Sequence, residues 1–316
     1  MADYLHNHPE FADLLNIIAG ERKILPALVE KDYWIMHVLY GLKKQGFLFE
    51  LKGGTSLSKG FRIIDRFSED IDIHITPPAK FGINENPKNT NAKNVQARKD
   101  FYDWLAEEIK INGIVKIERD HTFDDPDGYY RSGGIRLHYE NKTEPVKGLK
   151  EGILLEAGFA KVTPNEKLLI SSWAYDKAVS NIEIIDNRAI EIACYHPGYT
   201  LVEKLQTIAT KFRQEQEDGK ERPNYLRQYY DVYSLLGTEG VQNFIGTQEY
   251  YEHKEAWFPK ADFAIPVAKN EAFLVNNTEL RNSIKERFKK TSTLYYSGQP
   301  DFEDLLKRIK DNIDKL

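Results

Sequence analysis

Apolar and polar positions along the chain change period several times, and each change marks an element. Residues 9 to 46 repeat with a helical period and read as two helices. The second opens near Pro26, a favourable first-turn position, and repeats Leu28, Ile35, Val38, Leu39 and Leu42. Phe47 to Leu51 reads as a short strand feeding a Gly53-Gly54 turn, and Thr55 to Ile64 as a helix. From Asp70 to Ile75 the order Asp, Ile, Asp, Ile, His, Ile has the two-residue period of a strand with one buried face. Residues 76 to 94 are rich in Pro, Asn and Lys and read as a mobile surface loop, a linker or a flap over a substrate.

An amphipathic helix follows at 95 to 111 (Val95, Phe101, Leu105, Ile109), then a strand from Ile114 to Glu118. Tyr129 to Tyr139 continues in β-rich composition, with Gly133-Gly134 marking a hairpin or a bulge. Gly152 to Ala160 is a largely apolar strand, and Ile182–Ile185 with Ala189–Cys194 read as a strand pair. The break at His196-Pro197-Gly198 divides the chain into domains at residues 1–195 and 196–316. The second half is helical: Tyr199 to Gln214 with a stripe of Leu201, Leu205, Ile208 and Phe212, a helix from Tyr225, a basic helix within Asn276 to Lys290, and a closing helix from Asp301 to Leu316.

Composition narrows the class only slightly. With 316 residues, 41% hydrophobic and 29% charged, the chain is long enough for a substantial core and ordinary for a globular protein. No apolar run approaches the ~18 residues of a membrane span, and MADYLHNHPEF lacks the regions of a secretory signal, so a cytoplasmic location is expected. The single cysteine, Cys194, excludes an internal disulfide and a Cys-based zinc site. A net charge of −5 means that any nucleic-acid binding must come from local basic patches. Arg281, Lys285, Arg287, Lys289 and Lys290, followed by Tyr295 and Tyr296, form one such patch, equally readable as a solvated helix.

The sharpest chemistry lies in residues 52 to 75. A period-two strand places Asp70 and Asp72 on one face, roughly 6.5 to 7 Å apart, a rigid seat for a hard divalent cation such as Mg²⁺. The Gly-Gly turn lets backbone N–H groups approach a phosphate, a helix starting at Thr55 would aim its positive end there, and Ser56 has a hydroxyl to donate. Lys59 and Arg62 are candidate phosphate-side cations; Arg66 suits either a phosphate or an ion pair with Glu69 or Asp70. Glu156 stands in so apolar a strand that it must be exposed at an edge or engaged with a cation. Lys204 borders its helix stripe and can snorkel to the surface, while Arg227 and Asp231, four apart, fit an ordinary intrahelical pair. Glu30-Lys31-Asp32 reads as a solvated or salt-bridged trio, with Lys31 a candidate for the triphosphate.

Lys52-Gly53-Gly54-Thr55-Ser56-Leu57 followed by Arg66-Phe67-Ser68-Glu69-Asp70-Ile71-Asp72 resembles the polymerase-β-like nucleotidyltransferases, and more narrowly the AbiEii/AbiGii nucleotidyltransferase toxins of abortive-infection and toxin–antitoxin systems. The resemblance implies an α/β palm with a helical C-terminal domain that closes the cleft. It implies that Asp70, Asp72 and a third carboxylate, Glu156, hold Mg²⁺, with Glu156 the candidate general base and His74 and His121 weaker alternatives. Gly53, Gly54, Thr55, Ser56, Lys59 and Arg66 would bind nucleotide. Leu201-Val-Glu-Lys-Leu205 is similar to a family motif whose lysine contacts phosphates, which points to Lys204, and Arg227-x-x-x-Asp231 to one whose aspartate lies near that lysine. The implied reaction is transfer of NMP from an NTP to the tRNA 3′ acceptor end, neutralised by a cognate antitoxin. A protein or small-molecule acceptor, or an NTP-binding module without turnover, are the competing readings.

Overall fold

The computed structural model describes residues 2–146, 148–160 and 162–316, and the chain divides into two compact units. The first comprises Met1–Gly60 with Phe67–Tyr195, the second Phe61–Arg66 with His196–Leu316. Residues 61–66, read from the sequence as part of the first domain, therefore belong to the second unit. The Asp65 N–H donates to the Tyr230 hydroxyl (3.0 Å), and the Tyr296 hydroxyl donates to the Ile64 carbonyl (3.0 Å).

The first unit is built on a seven-stranded mixed sheet of order β3-β4-β5-β2-β1-β7-β6. Its strands are β1 (Phe49–Lys52), β2 (Asp70–Ile75), β3 (Ile114–Asp120), β4 (Ser132–Tyr139), β5 (Ile153–Gly158), β6 (Asn165–Ile170) and β7 (Ala189–Tyr195). At the centre, β2 runs antiparallel to β1 and parallel to β5. Ile71, Ile73 and Ile75 are buried to 1% exposure or less, so one face of β2 is core while Asp70 and Asp72 alternate to the other. The run Ile153-Leu154-Leu155 is fully buried on both faces, as befits an interior strand of the sheet.

Four local expectations change. The helix read at Thr55 to Ile64 is one short turn, Gly53–Thr55, continuing as a π-helical turn over Ser56–Gly60, after which the backbone opens and Arg62 takes a left-handed φ of 56°. Gly133-Gly134 makes neither hairpin nor bulge but lies inside β4, where a side chain on Gly133 would collide with the Tyr102 ring. The antiparallel partner of β7 is β6 rather than residues 182–185, which contribute a single bridge from Ile184 to Asp3. The 76–94 loop is pinned. Asn94 bonds the backbone of Asn84 and Asn89, and the buried Arg98 donates to the carbonyls of Asn84 (2.9 Å) and Asn86 (2.8 Å).

Under the helices Phe11–Arg22 and Pro26–Lys44 lies a buried polar network with fixed proton positions. Asn187 Nδ2 donates to the Tyr33 hydroxyl (3.0 Å) and to His37 Nδ1 (2.8 Å). Tyr33 donates to His6 Nδ1 (2.8 Å), His6 Nε2 to Asn112 Oδ1 (2.8 Å), and His37 Nε2 to the Asn112 carbonyl (3.0 Å). His37 is wired as a neutral ring, since its Nε2–H is committed to a carbonyl and a second proton at Nδ1 would point at the Asn187 amide N–H.

The second unit is helical. Leu201, Leu205, Ile208 and Phe212 of the helix Pro197–Asp218 are buried, and Tyr229 of Arg227–Leu236 packs on Phe302 and donates to the Ala272 carbonyl (2.6 Å). The basic patch near the C-terminus is internally paired. Arg287 is buried against Glu215 (2.6 Å), Arg281 pairs with Glu303, Lys285 with Asp301 (2.9 Å) and Lys289 with Glu286 (2.8 Å). Tyr295 is buried on Phe288 and Tyr230 rather than presented to a ligand. Arg287, Arg281 and Lys285 tie the basic helix to neighbouring segments, whereas Lys289 pairs within the helix and stays exposed, as in the solvated reading.

Burial pushes the His37 pKa down to about 3, against about 6.5 when unfolded. The unfolded chain therefore binds a proton that the folded one refuses, and stability falls as pH drops below about 6.5. Between pH 7.5 and 5 this group alone removes on the order of 2 kcal/mol. Urea denaturation across that range should show the loss in the native protein and a shallower slope in His37→Gln.

Candidate active site

The Gly-Gly turn and β2 are held together by one side chain, Thr55, whose hydroxyl donates to the Asp70 carbonyl. Gly53 sits at a φ of 69°, and a side chain there would land on the Asp72 carboxylate. Only glycine satisfies both constraints. The neighbouring hydroxyls do not face a substrate, however. Thr55 and Ser56 are fully buried, Ser56 beside the Cys194 thiol. The Thr55 hydroxyl is taken by the Asp70 carbonyl, and Ser56, which opens the π-helical turn, has its hydroxyl buried.

Strand register gathers the carboxylates. Asp72 is paired across the parallel ladder with Glu156 and across the antiparallel one with Lys52, while Asp70 lies two residues away on the same face. Burial, then the charges of Asp72 and Asp70, push the Glu156 carboxyl up to about 8, with Lys150 and Lys52 acting in the opposite sense. The Lys150 ammonium bonds Asp70 Oδ2 at 2.6 Å; Asp70 Oδ1 is buried and accepts no hydrogen bond. Among the described residues, no three of His, Cys, Asp and Glu stand close enough to enclose one ion. The donor set still suits a hard divalent cation. It offers oxygen ligands only, one of them an unused buried lone-pair site, and the mutual repulsion of its charges would be relieved by a cation.

Other residues read from the sequence find different partners. His74 does share the aspartates' face, but Glu50 takes its Nδ1 and Glu85 lies 3.8 Å from its Nε2. His121 is exposed on the turn after β3, bonded to Asp124 (2.8 Å). Lys59 is bonded to Asp32 over the Trp173 ring, and Asp32 also accepts from the Trp173 N–H (2.8 Å). The trio Glu30-Lys31-Asp32 is not solvated: each is 1% exposed. Glu30 accepts from the backbone of Lys142 (2.7 Å) and Thr143 (3.1 Å), while Lys31 donates to the Lys150 carbonyl (2.6 Å) and lies 3.6 Å from Glu69. Lys150 and Lys52 are the residues that sequence reasoning missed. The first sits in an aperiodic loop, and the second was legible only once the register placed it opposite Asp72.

In the second unit Arg66, Lys204 and Asp231 meet. Arg66 donates through Nε (2.6 Å) and Nη2 (2.7 Å) to the two Asp231 oxygens, and Lys204 Nζ lies 3.1 Å from Oδ2. Asp231 is fully buried; burial alone would raise its carboxyl, but Arg66 and Lys204 outweigh that and hold it below its ordinary value. Among the described residues Arg66 thus pairs with Asp231 rather than with Glu69 or Asp70, and its guanidinium, 4% exposed, has Nε and Nη2 committed to that carboxylate.

A mixed sheet whose central strand carries a carboxylate pair just after a Gly-Gly turn, with a helical second unit, is the architecture of a nucleotidyltransferase. A family model described as nucleotidyl transferase AbiEii toxin, Type IV TA system, matches residues 38–308, and the chain belongs to that family. A search of the curated proteins found no match.

Two variants separate charge from scaffold here. Asp231→Ala leaves a buried guanidinium uncompensated and should cost about 3–5 kcal/mol in urea denaturation. In Glu156 the folded state favours the protonated carboxyl, so its ionisation as pH rises towards 8 costs stability. Glu156→Gln should therefore melt higher than the native protein without metal at pH 8, and lose part of the stabilisation that added Mg²⁺ confers.

Proposed function

We propose that this nucleotidyltransferase toxin uses Asp70, Asp72 and Glu156 to hold Mg²⁺ and transfers NMP from an NTP to an RNA hydroxyl, the tRNA 3′ acceptor end. Family membership brings the transferase chemistry, the NTP and an antitoxin partner. The observation that supports the metal is the placement of three carboxylates on one sheet face by strand register, with Glu156 raised to about 8 by burial and by the charges of Asp72 and Asp70. A divalent cation there would neutralise phosphate charge on the bound NTP.

The chain's own residues do the remaining work. The Gly53 backbone runs directly against the Asp72 carboxylate, and two successive glycines leave their N–H groups unshielded by side chains, which suits close approach of a phosphate. Glu156, the third carboxylate of this sheet face, is assigned the proton of the attacking hydroxyl, with its carboxylate form the one that accepts it. Lys204 is the cation assigned to the leaving pyrophosphate. Asp231 fixes its position, and catalysis of this kind rests on positioning and electrostatics.

The test is an incubation of the protein and Asp70→Ala with Mg²⁺, total bacterial tRNA and each α-labelled NTP in turn. The expected result is label in tRNA with the native protein and a fall of about a hundredfold or more with the variant. Label on protein or on a small molecule, with none in tRNA, would overturn the RNA acceptor while keeping the transferase.

A further inference from the structure

The carboxylate face already holds a cation, and the fold has gone to some expense to place it. Lys150 is fixed through its backbone from two sides: its N–H donates to Glu69 Oε2 (2.9 Å) and its carbonyl accepts from Lys31 Nζ (2.6 Å). Both clamping groups are buried, at 8% and 1% side-chain exposure, and burial pulls the Lys31 ammonium down to about 8. Two desolvated charges directed at one residue's main chain make sense only if the position of that residue matters. Its side chain, by contrast, is a third exposed. The ammonium bonds Asp70 Oδ2 and lies 4.7 Å from the Phe123 ring centroid. Lys150 also forms part of the wall of a cavity of about 270 Å³, beside Ala27, Glu30, Tyr139, Thr143 and Leu149. Being a third exposed, the side chain can leave Asp70 towards solvent.

We infer that Lys150 is a resident counter-cation of the carboxylate site, occupying Asp70 when no metal is bound and passing to a phosphate oxygen of the NTP when the metal arrives. The inference rests on the metal-dependent reading above. Its logic is electrostatic. Asp70, Asp72 and Glu156 together carry more negative charge than their burial tolerates, and an ammonium on a flexible stem offsets it reversibly. A divalent cation would compete for the same oxygen. The displaced ammonium, its Cα held in place, would remain within reach of a triphosphate brought to the metal.

The distinguishing measurement is Mn²⁺ affinity without nucleotide, followed by electron paramagnetic resonance, for the native protein, Lys150→Gln, Lys150→Arg and Asp70→Asn. Removing the competitor should tighten Mn²⁺ binding by about fivefold in Lys150→Gln, the effect of a partly exposed ion pair. The KM for NTP should rise by about tenfold with a smaller change in kcat, as for a lost charge contact made in ground and transition states alike. Lys150→Arg should restore both. A residue that merely props up the loop would weaken metal and nucleotide binding together, so unchanged or weaker Mn²⁺ binding in Lys150→Gln, with binding lost in Asp70→Asn, overturns the inference. Equal Mn²⁺ binding in the native protein and Asp70→Asn overturns the metal site itself, and with it the role given to Lys150.

Discussion

Repulsion between like charges on one sheet face is the constraint from which the rest of the first unit follows. The parallel register of β2 and β5 sets Asp72 opposite Glu156, and the alternation of β2 adds Asp70 on the same side. Three carboxylates in a half-buried place are not a stable arrangement without compensation. The surroundings supply it piecemeal: Lys150 on Asp70, Lys52 across from Asp72, and a threonine hydroxyl tying the preceding turn to the Asp70 carbonyl. Each compensating group is a neighbour that the strand register or the preceding turn brings into reach.

The second unit solves a related problem differently. Asp231 is fully enclosed, and its charge is met by a two-pronged guanidinium and a lysine. Arg66 has both its prongs committed, whereas Lys204 approaches one oxygen and keeps 13% of its side chain exposed. One cation is spent on the fold and the other is held in position by it. Elsewhere in this unit, Arg287 on Glu215 and Arg213 on Asp262 repeat the pattern of arginine closing a buried acid.

Much of the framework was legible in the sequence where a strong local period coincided with burial. β2 was read to the residue because alternation, β-branched residues and one buried face agreed. The edge strand β6 was not seen. Asn165-Glu-Lys is exposed and carries no apolar alternation, so its strand state comes from pairing with β7. Orientation within turns was equally hidden: a serine after two glycines is as compatible with a phosphate as with the interior, and Ser56 took the interior. Long-range pairing was invisible in principle. Nothing near Arg66 announces Asp231, and nothing near Lys285 announces Asp301, so cations read as free in one dimension proved to be spoken for in three. The Asn and Pro content of 76–94 suggested mobility, yet Arg98, further along the chain, ties that loop down.

The excursion of residues 61–66 into the second unit bears on how this protein is divided by a protease or by evolution. A fragment beginning at His196 would lack the guanidinium that neutralises Asp231, the backbone that meets Tyr230 and the carbonyl that meets Tyr296. It would carry an enclosed acid with one lysine for company. The C-terminal half is thus no free-standing module that recombination can shuffle at the obvious Pro-Gly joint. Its completion waits on a segment translated more than a hundred residues earlier.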